Sequence, residues 1–151
     1  MVDAAALLPH VWYPRAMTGS DLSKSDRHKG AERYLVLQPG EHMVFACQPS
    51  WVALFSTKQF GVRFAVPQRR RTWHVLTDRR IITTLVKIGR HERAIPLEWV
   101  QDLNYVHGPF ASTVMVSSAG GQLGATVIGP TAHQDGEKFR VELTKLLAGR
   151  K

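Results

Sequence analysis

The chain has 151 residues, which is enough for one domain with a sizeable core and too few for two. Its 44% hydrophobic content is ordinary for a globular protein and excludes a disordered chain. Lys and Arg outnumber Asp and Glu by 20 to 12, and the formal net charge of +8 points to anionic partners. The single cysteine, Cys47, excludes an intramolecular disulfide and predicts a buried thiol in a reducing, cytoplasmic compartment.

The first 30 residues differ in character from the rest of the chain. They contain turn formers and charges without a sustained period, so residues 1–30 are predicted to be a flexible leader before a domain at 31–151. Within the leader, Val11–Pro14 either docks onto the body or binds a partner. The best candidate for a membrane helix, Met43–Thr57, has 15 uncharged residues interrupted by Gln48 and Pro49, fewer than the roughly 18 that are needed. No transmembrane segment and no secretory signal are predicted.

The stretch 72–103 alternates strand signals with turn signals. Trp73–Leu76 is apolar and β-branched, Thr77–Arg80 is rich in turn formers, and Ile81–Ile88 suits a half-buried strand. A third extended segment, Ala94–Leu97, follows. Pro96 has no N–H for a ladder hydrogen bond, which predicts that its strand lies at a sheet edge or ends there. The pattern indicates a meander of three strands.

Five more strands and one helix are predicted outside this stretch. Ser118–Gly121 is typical of a hairpin turn, and Thr131 with Gln134 predicts a capping box at the start of the helix. Gly149 is predicted to end that helix. The five strands are Met43–Gln48, Phe60–Val66, Trp99–Val106, Thr113–Ser117 and Gln122–Ile128, and the apolar stripe of the helix is Phe139, Leu143, Leu146 and Leu147.

Three strings within these elements resemble bacterial pleckstrin-homology-like domains. They are Trp73–Ile82, Ile95–Leu103 and Val114–Gly121, and the resemblance covers 39–148. It implies a mostly β fold in which two antiparallel sheets form a partly open β-barrel capped by one C-terminal α-helix. Many relatives carry membrane helices after the position of Pro49–Trp51, but here that region is interrupted by charges, so no integral-membrane role follows. Trp51, Trp73 and Trp99 could stack on a ligand, but the two within these strings, Trp73 and Trp99, are predicted to anchor the core instead.

The sequence contains no motif that predicts catalysis. The seven histidines lack metal-ligand spacing, no nucleophile elbow surrounds a serine, and no phosphate loop is present. Within the strings that carry the resemblance, the only histidine is His74, and the acid Asp78 lies four residues after it. The sequence therefore predicts no catalytic residue, no metal site and no cofactor.

The positive charge is concentrated in one part of the chain. Residues 58–93 hold ten basic and two acidic side chains, a balance of +8 that equals the net charge of the whole chain. Residues 103–134 carry no formal charge. Pro67 and Gln68 indicate a loop that presents the arginines following it. The predicted anion- or lipid-binding residues are Lys58, Arg63, Arg69, Arg70, Arg71, Arg79 and Arg80.

These observations predict a non-catalytic adaptor whose basic loop region faces an anionic membrane surface or an acidic protein partner. Such a protein would be cytoplasmic, or peripheral at the inner face of the membrane. Three alternatives stay open: a basic face that only aids solubility, a homo-oligomer joined through sheet edges, and a nucleic-acid binder. Nucleic acid is the less favoured partner, because Phe60, Phe64 and Trp73 are expected to point inward from their strands and few other aromatic residues accompany the basic ones.

Overall fold

The computed structural model describes residues 24–50, 71–86, 90–119 and 125–150. Within them, a helix α1 precedes seven strands, and a second helix, α2, ends the described chain. The predicted strand Phe60–Val66 and Trp51 lie outside the described residues. The elements are α1 Lys24–Glu32, β1 Met43–Cys47, β2 Trp73–Thr77, β3 Arg80–Val86, β4 Arg90–Pro96, β5 Val100–His107, β6 Ser112–Ser118, β7 Ala125–Thr131 and α2 His133–Ala148.

The strands form two antiparallel sheets. Sheet A has the order β1-β2-β3-β4, and sheet B has the order β5-β6-β7. Asp78 and Arg79 turn the chain between β2 and β3, as the sequence predicts. Pro96 ends β4, which is the outer strand of sheet A among the described residues, so the edge position predicted for this proline is confirmed.

Two corners join the sheets. At one, the 3-10 turn Leu97–Trp99 carries the chain directly from β4 to β5. At the other, Pro49 forms an isolated bridge with Thr131, and the backbone N–H of Ser50 donates to the carbonyl of Pro130 at 2.8 Å. The predicted architecture of two antiparallel sheets in a partly open barrel with a C-terminal helix is confirmed.

The core lies between the sheets and under α2. All five residues of β2 are buried. Phe139 and Leu143 of α2 are completely buried in the main cluster, while Leu146 and Leu147 are partly buried against it, so the predicted apolar stripe is confirmed. Cys47 is buried in the same cluster, as predicted.

The predicted cap of α2 is wrong, although the helix itself is right. Thr131 ends β7, where its hydroxyl donates to the carbonyl of Ser112 at 3.3 Å, and Ala132 precedes the helix without a side-chain cap. The strand therefore uses the hydroxyl that the capping box would need. At the other end, Gly149 is the C-cap residue, as predicted.

Two further findings differ from the expectations. The predicted domain boundary between residues 30 and 31 falls inside α1, whose Arg27 and Ala31 are buried; residues 1–23 lie outside the described part. Trp73 is buried as a core anchor, but Trp99 is 42% exposed, so its predicted core role is wrong. The reason is that the 3-10 turn directs Leu97 into the core and leaves Trp99 at the surface.

Candidate functional site

Arg80, one of the predicted anion-binding residues, forms an ion pair with Glu41. Its Nε lies 2.8 Å from Oε1 of Glu41 and its Nη2 lies 3.0 Å from Oε2, a bidentate arrangement. Nη2 also donates to the carbonyl of Val36 at 3.1 Å. The carboxylate side chain is completely buried and the arginine side chain is 15% exposed. Glu41 therefore balances the charge of Arg80 inside the fold.

Glu41 also holds the segment before β1 onto the β2–β3 turn. Its carboxylate accepts the backbone N–H of Gln38 at 2.7 Å and lies 2.7 Å from the Thr77 hydroxyl. That hydroxyl oxygen accepts the backbone N–H of Arg80 at 2.9 Å. Burial alone would raise the pKa of Glu41, but the hydrogen bonds from Arg80, Gln38 and Thr77, with the positive charge of Arg80, lower it to about 2. The Glu41 carboxylate therefore has a structural role and holds the segment before β1 against the β2–β3 turn.

Because its pKa is lower in the folded chain, the carboxylate of Glu41 stabilises the fold above about pH 4.5, and this contribution is lost as the pH falls toward 2. Glu41→Gln is expected to lower the free energy of unfolding at neutral pH by roughly 2–3 kcal/mol. The difference from wild type should shrink between pH 4.5 and 2. Urea unfolding at several pH values measures this, with the exposed Glu98→Gln as control. A difference that is independent of pH would contradict the prediction.

Arg71 and Arg79 are both exposed, but they lie beyond opposite ends of β2. The Arg79 guanidinium is 3.4 Å from the carbonyl oxygens of Pro39 and Gly40, at the turn that Arg80 clamps. Eight residues separate the two arginines, roughly 25 Å along an extended chain. Since the Debye length is about 8 Å in physiological salt, they do not act as one charged patch.

At the other end of sheet A, the strand register brings further basic residues toward Arg71. The Thr84 hydroxyl lies 3.3 Å from the carbonyl oxygen of Arg71, and Trp73 pairs with Thr84. Val86, two residues further along β3 than Thr84, pairs with Arg90 on β4. Arg71 and Arg90 therefore both lie near this end of the β3–β4 pair.

Arg93 is exposed at the middle of the same strand, opposite Thr83, and lies on the other face of the sheet from Arg90. We call Arg71, Arg90 and Arg93 the basic end of sheet A. Arg90 and Arg93 belong to the basic window 58–93 but not to the predicted site, and the β3–β4 register is the signal that finds them. The predicted residues Lys58, Arg63, Arg69 and Arg70 lie outside the described part of the chain.

The suggested pair of His74 and Asp78 does not form. His74 is buried, with Nδ1 3.2 Å from the Thr83 hydroxyl, and burial lowers its pKa to about 4. Asp78 instead accepts the backbone N–H of His42 at 3.0 Å. Within 24–50, 71–86, 90–119 and 125–150, no three His, Cys, Asp or Glu side chains are arranged to hold a metal ion. No helix in those same ranges is long and apolar enough to cross a membrane.

Comparison with known proteins gives similarity of structure without similarity of sequence. No protein-family profile matches the chain, and no curated protein matches it. A DUF1696 family protein with a pleckstrin-homology domain from Shewanella loihica PV-4 has a TM-score of 0.56 at 9% identity, covering 83% of this chain and 94% of that one. The Vps36 N-terminal PH domain has a TM-score of 0.50 at 17% identity, covering 76% of this chain and 84% of that one.

These similarities establish a class of fold. The chain has a pleckstrin-homology-like fold, which confirms the prediction from the three strings in its sequence. Sequence identities this low do not show which ligand or partner this chain binds, because one architecture supports unrelated functions.

Proposed function

We propose that the protein is a non-catalytic binding module of the pleckstrin-homology-like class, and that the basic end of sheet A faces an anionic membrane surface. The observation that carries this proposal is the contact between the Thr84 hydroxyl and the Arg71 carbonyl, which places Arg71 beside the β3–β4 pair that holds Arg90 and Arg93. Arg69 and Arg70 directly precede Arg71 in the chain and belong to the proposed surface. Arg79 and Arg80 do not, because one lies at the opposite end of β2 and the other is neutralised by Glu41.

The expected strength of this interaction follows from the number of arginines. Each Lys or Arg near an anionic bilayer contributes about 1 kcal/mol. Replacing Arg69, Arg70 and Arg71 with Gln should therefore weaken binding to vesicles containing anionic lipid by about a hundredfold. Vesicle sedimentation at low salt measures the affinity, which should fall steeply as the salt concentration rises.

A matched control removes three exposed cations elsewhere: Arg33 after α1, Arg79 at the far end of β2, and Lys145 on α2. This variant should bind anionic vesicles within about threefold of wild type, because long-range charge is screened. Equal losses in the two triple variants would show that only net charge matters. Wild-type protein that stays in the supernatant with anionic vesicles would contradict the membrane proposal. Binding assays with an acidic protein surface and with single-stranded DNA and RNA test the other anionic partners.

Assembly through sheet B is the second candidate function. Met115 on β6 and Val127 on β7 are direct cross-strand partners on the outer face, and they are 38% and 48% exposed. Residues 103–134 carry no formal charge, so β7, the outer strand of sheet B among the described residues, lacks the charged side chains that commonly block edge-to-edge pairing. Size-exclusion chromatography at low and high salt separates the candidates. A salt-resistant multiple of the 16.9 kDa chain supports assembly, and a monomer supports surface binding alone.

A further inference from the structure

A cleft of about 350 Å³ lies where α1, β1 and α2 meet, and its lining residues do not include Arg71, Arg90 or Arg93. Its volume is near the lower end of the range for ligand pockets, roughly 300–1,000 Å³. α1 supplies three basic side chains at positions i, i+3 and i+4, which lie on one helix face. The lining residues are Lys24, Arg27 and His28 from α1, Val44, Phe45 and Ala46 from β1, and Lys138 and Glu142 from α2.

The wall of the cleft combines an apolar surface with a neutralised ion pair. The buried guanidinium of Arg27 pairs with the buried carboxylate of Asp135 and lies 5.8 Å from the ring centroid of Phe45. That ring in turn meets Phe139 edge to face, at 6.3 Å between centroids. Packing on both sides therefore holds Phe45 and Arg27 in place, and they form a rigid wall.

The two lysines of the cleft have a different environment. Glu142 is 2.9 Å from Lys145, so its charge is already balanced. Lys24 and Lys138 are exposed, and neither forms an ion pair with another residue of the described ranges. After the pairs of Arg27 with Asp135 and Glu142 with Lys145 are counted, two positive charges are left over. One belongs to α1 and the other to α2, so they approach the cleft from different elements.

His28 adds a polar group to the same cleft. Its Nε2 atom is buried without a hydrogen-bond partner. Burial, followed by the charge of Lys24, lowers the pKa of His28, while Glu32 and the Val44 backbone oppose this shift. The shift favours the neutral imidazole. A buried polar atom without a partner costs free energy, and a ligand in the cleft could supply that partner.

We propose that this cleft binds a small phosphate monoester, whose phosphate is neutralised by Lys24 and Lys138 and whose organic group contacts the wall of Val44, Phe45 and Ala46. A phosphate monoester carries a charge of about −1.5 to −2 at pH 7, which matches the two free ammonium groups. Lysine binds phosphate as a point charge and does not need the planar geometry of an arginine fork. This site is independent of the proposed membrane-facing surface.

The first test uses the full chain and two probes, phenyl phosphate and inorganic phosphate, in an NMR titration. Phenyl phosphate should bind saturably and shift the resonances of Val44–Ala46 and His28. Lys24→Gln with Lys138→Gln should weaken its binding by roughly tenfold or more. The matched control, Lys29→Gln with Arg33→Gln, removes two exposed charges outside the cleft and should bind within about twofold of wild type.

The second test distinguishes a soluble ester from a lipid headgroup, because both carry the same chemistry. Phosphatidylcholine vesicles that contain phosphatidylinositol 4-phosphate present a phosphate monoester at a surface, and vesicles without this lipid are the control. Binding of phenyl phosphate alone assigns a soluble ligand, and vesicle binding that the cleft variant abolishes assigns a headgroup. The proposal is overturned if neither phenyl phosphate nor the vesicles with phosphatidylinositol 4-phosphate bind saturably. It is equally overturned if the cleft variant and its matched control lose equal affinity. It is also overturned if binding maps to Arg71 and Arg93, and that result would leave the membrane proposal standing.

Discussion

Replacing Phe139 with alanine should lower the free energy of unfolding by roughly 3–5 kcal/mol, a large share of the stability of a domain of this size. Phe139 is completely buried in the main cluster, and its ring contacts Phe45 on β1 edge to face. The substitution removes this contact and leaves a cavity between α2 and sheet A. Urea unfolding followed by circular dichroism measures the loss, and the variant is expected to be marginal or aggregating.

The matched control on the same helix is Lys145→Ala. The Lys145 side chain is 65% exposed, and its only described contact is the surface ion pair with Glu142. Such pairs contribute about 0–1 kcal/mol, so this variant should be nearly silent. Small and equal effects from both substitutions would show that α2 does not close the core in solution.

Asp135→Ala is the second substitution for which a large loss of stability is expected. Its carboxylate pairs with the guanidinium of Arg27, and the two side chains are 2% and 8% exposed. Removing the carboxylate takes away the opposite charge of a buried ion pair, which typically costs roughly 3–5 kcal/mol. Arg27→Met should be destabilising for the same reason, since it leaves the carboxylate alone. Thermal or urea unfolding of both variants measures these losses.

The double variant Arg27→Met with Asp135→Leu tests the mechanism. If the cost comes from the unpaired charge, the double variant should be less destabilised than the sum of the two single variants, because it leaves neither charge in the core. Additive losses would show that the two side chains do not interact. A loss of less than about 1 kcal/mol for each single variant would mean that α1 is not docked on the body.

The strands of this protein follow from local patterns in its sequence. Trp73–Leu76 and Ile81–Ile88 were predicted from β-branched and apolar residues. β2 covers Trp73–Thr77 and β3 covers Arg80–Val86, while residues 87–89 lie outside the described part. The stripe of α2 was predicted from its period, and Phe139 and Leu143 are its buried residues. Such elements can be predicted because one face of each must be buried, and the spacing of the apolar residues along the sequence indicates which face it is. The resemblance to pleckstrin-homology-like domains then supplied the arrangement of the sheets.

The helix α1 was missed because its buried face is not apolar. Its sequence has Ala31 as the only hydrophobic residue, while Arg27 is buried as well. The charge of this buried arginine is balanced by Asp135, which lies 108 residues away in the chain. Because the two partners are far apart in the chain, the sequence of residues 24–30 does not by itself predict that this helix packs on the body.

The basic residues show the same limit. In the sequence, Arg71, Arg79 and Arg80 lie within ten positions and resemble one patch. Folding separates Arg71 from Arg79 by the length of β2 and pairs Arg80 with Glu41, a residue 39 positions earlier in the chain. Charge partners and strand ends are properties of contacts between distant segments. A charge count along the chain therefore predicts an anionic partner but not the surface that meets it.

The sequence by itself determined the period of each strand, the helix that closes the core, the excess of positive charge and the uncharged stretch at 103–134, because each is a property of residues near one another in the chain. Only the tertiary structure decided which arginines are neutralised, which ones share an end of sheet A, and that Lys24 and Lys138 line one cleft. These facts depend on contacts across tens of residues. The physical reason is that burial and the nearest opposite charge set the behaviour of an ionisable side chain, and both are fixed only when the chain has folded.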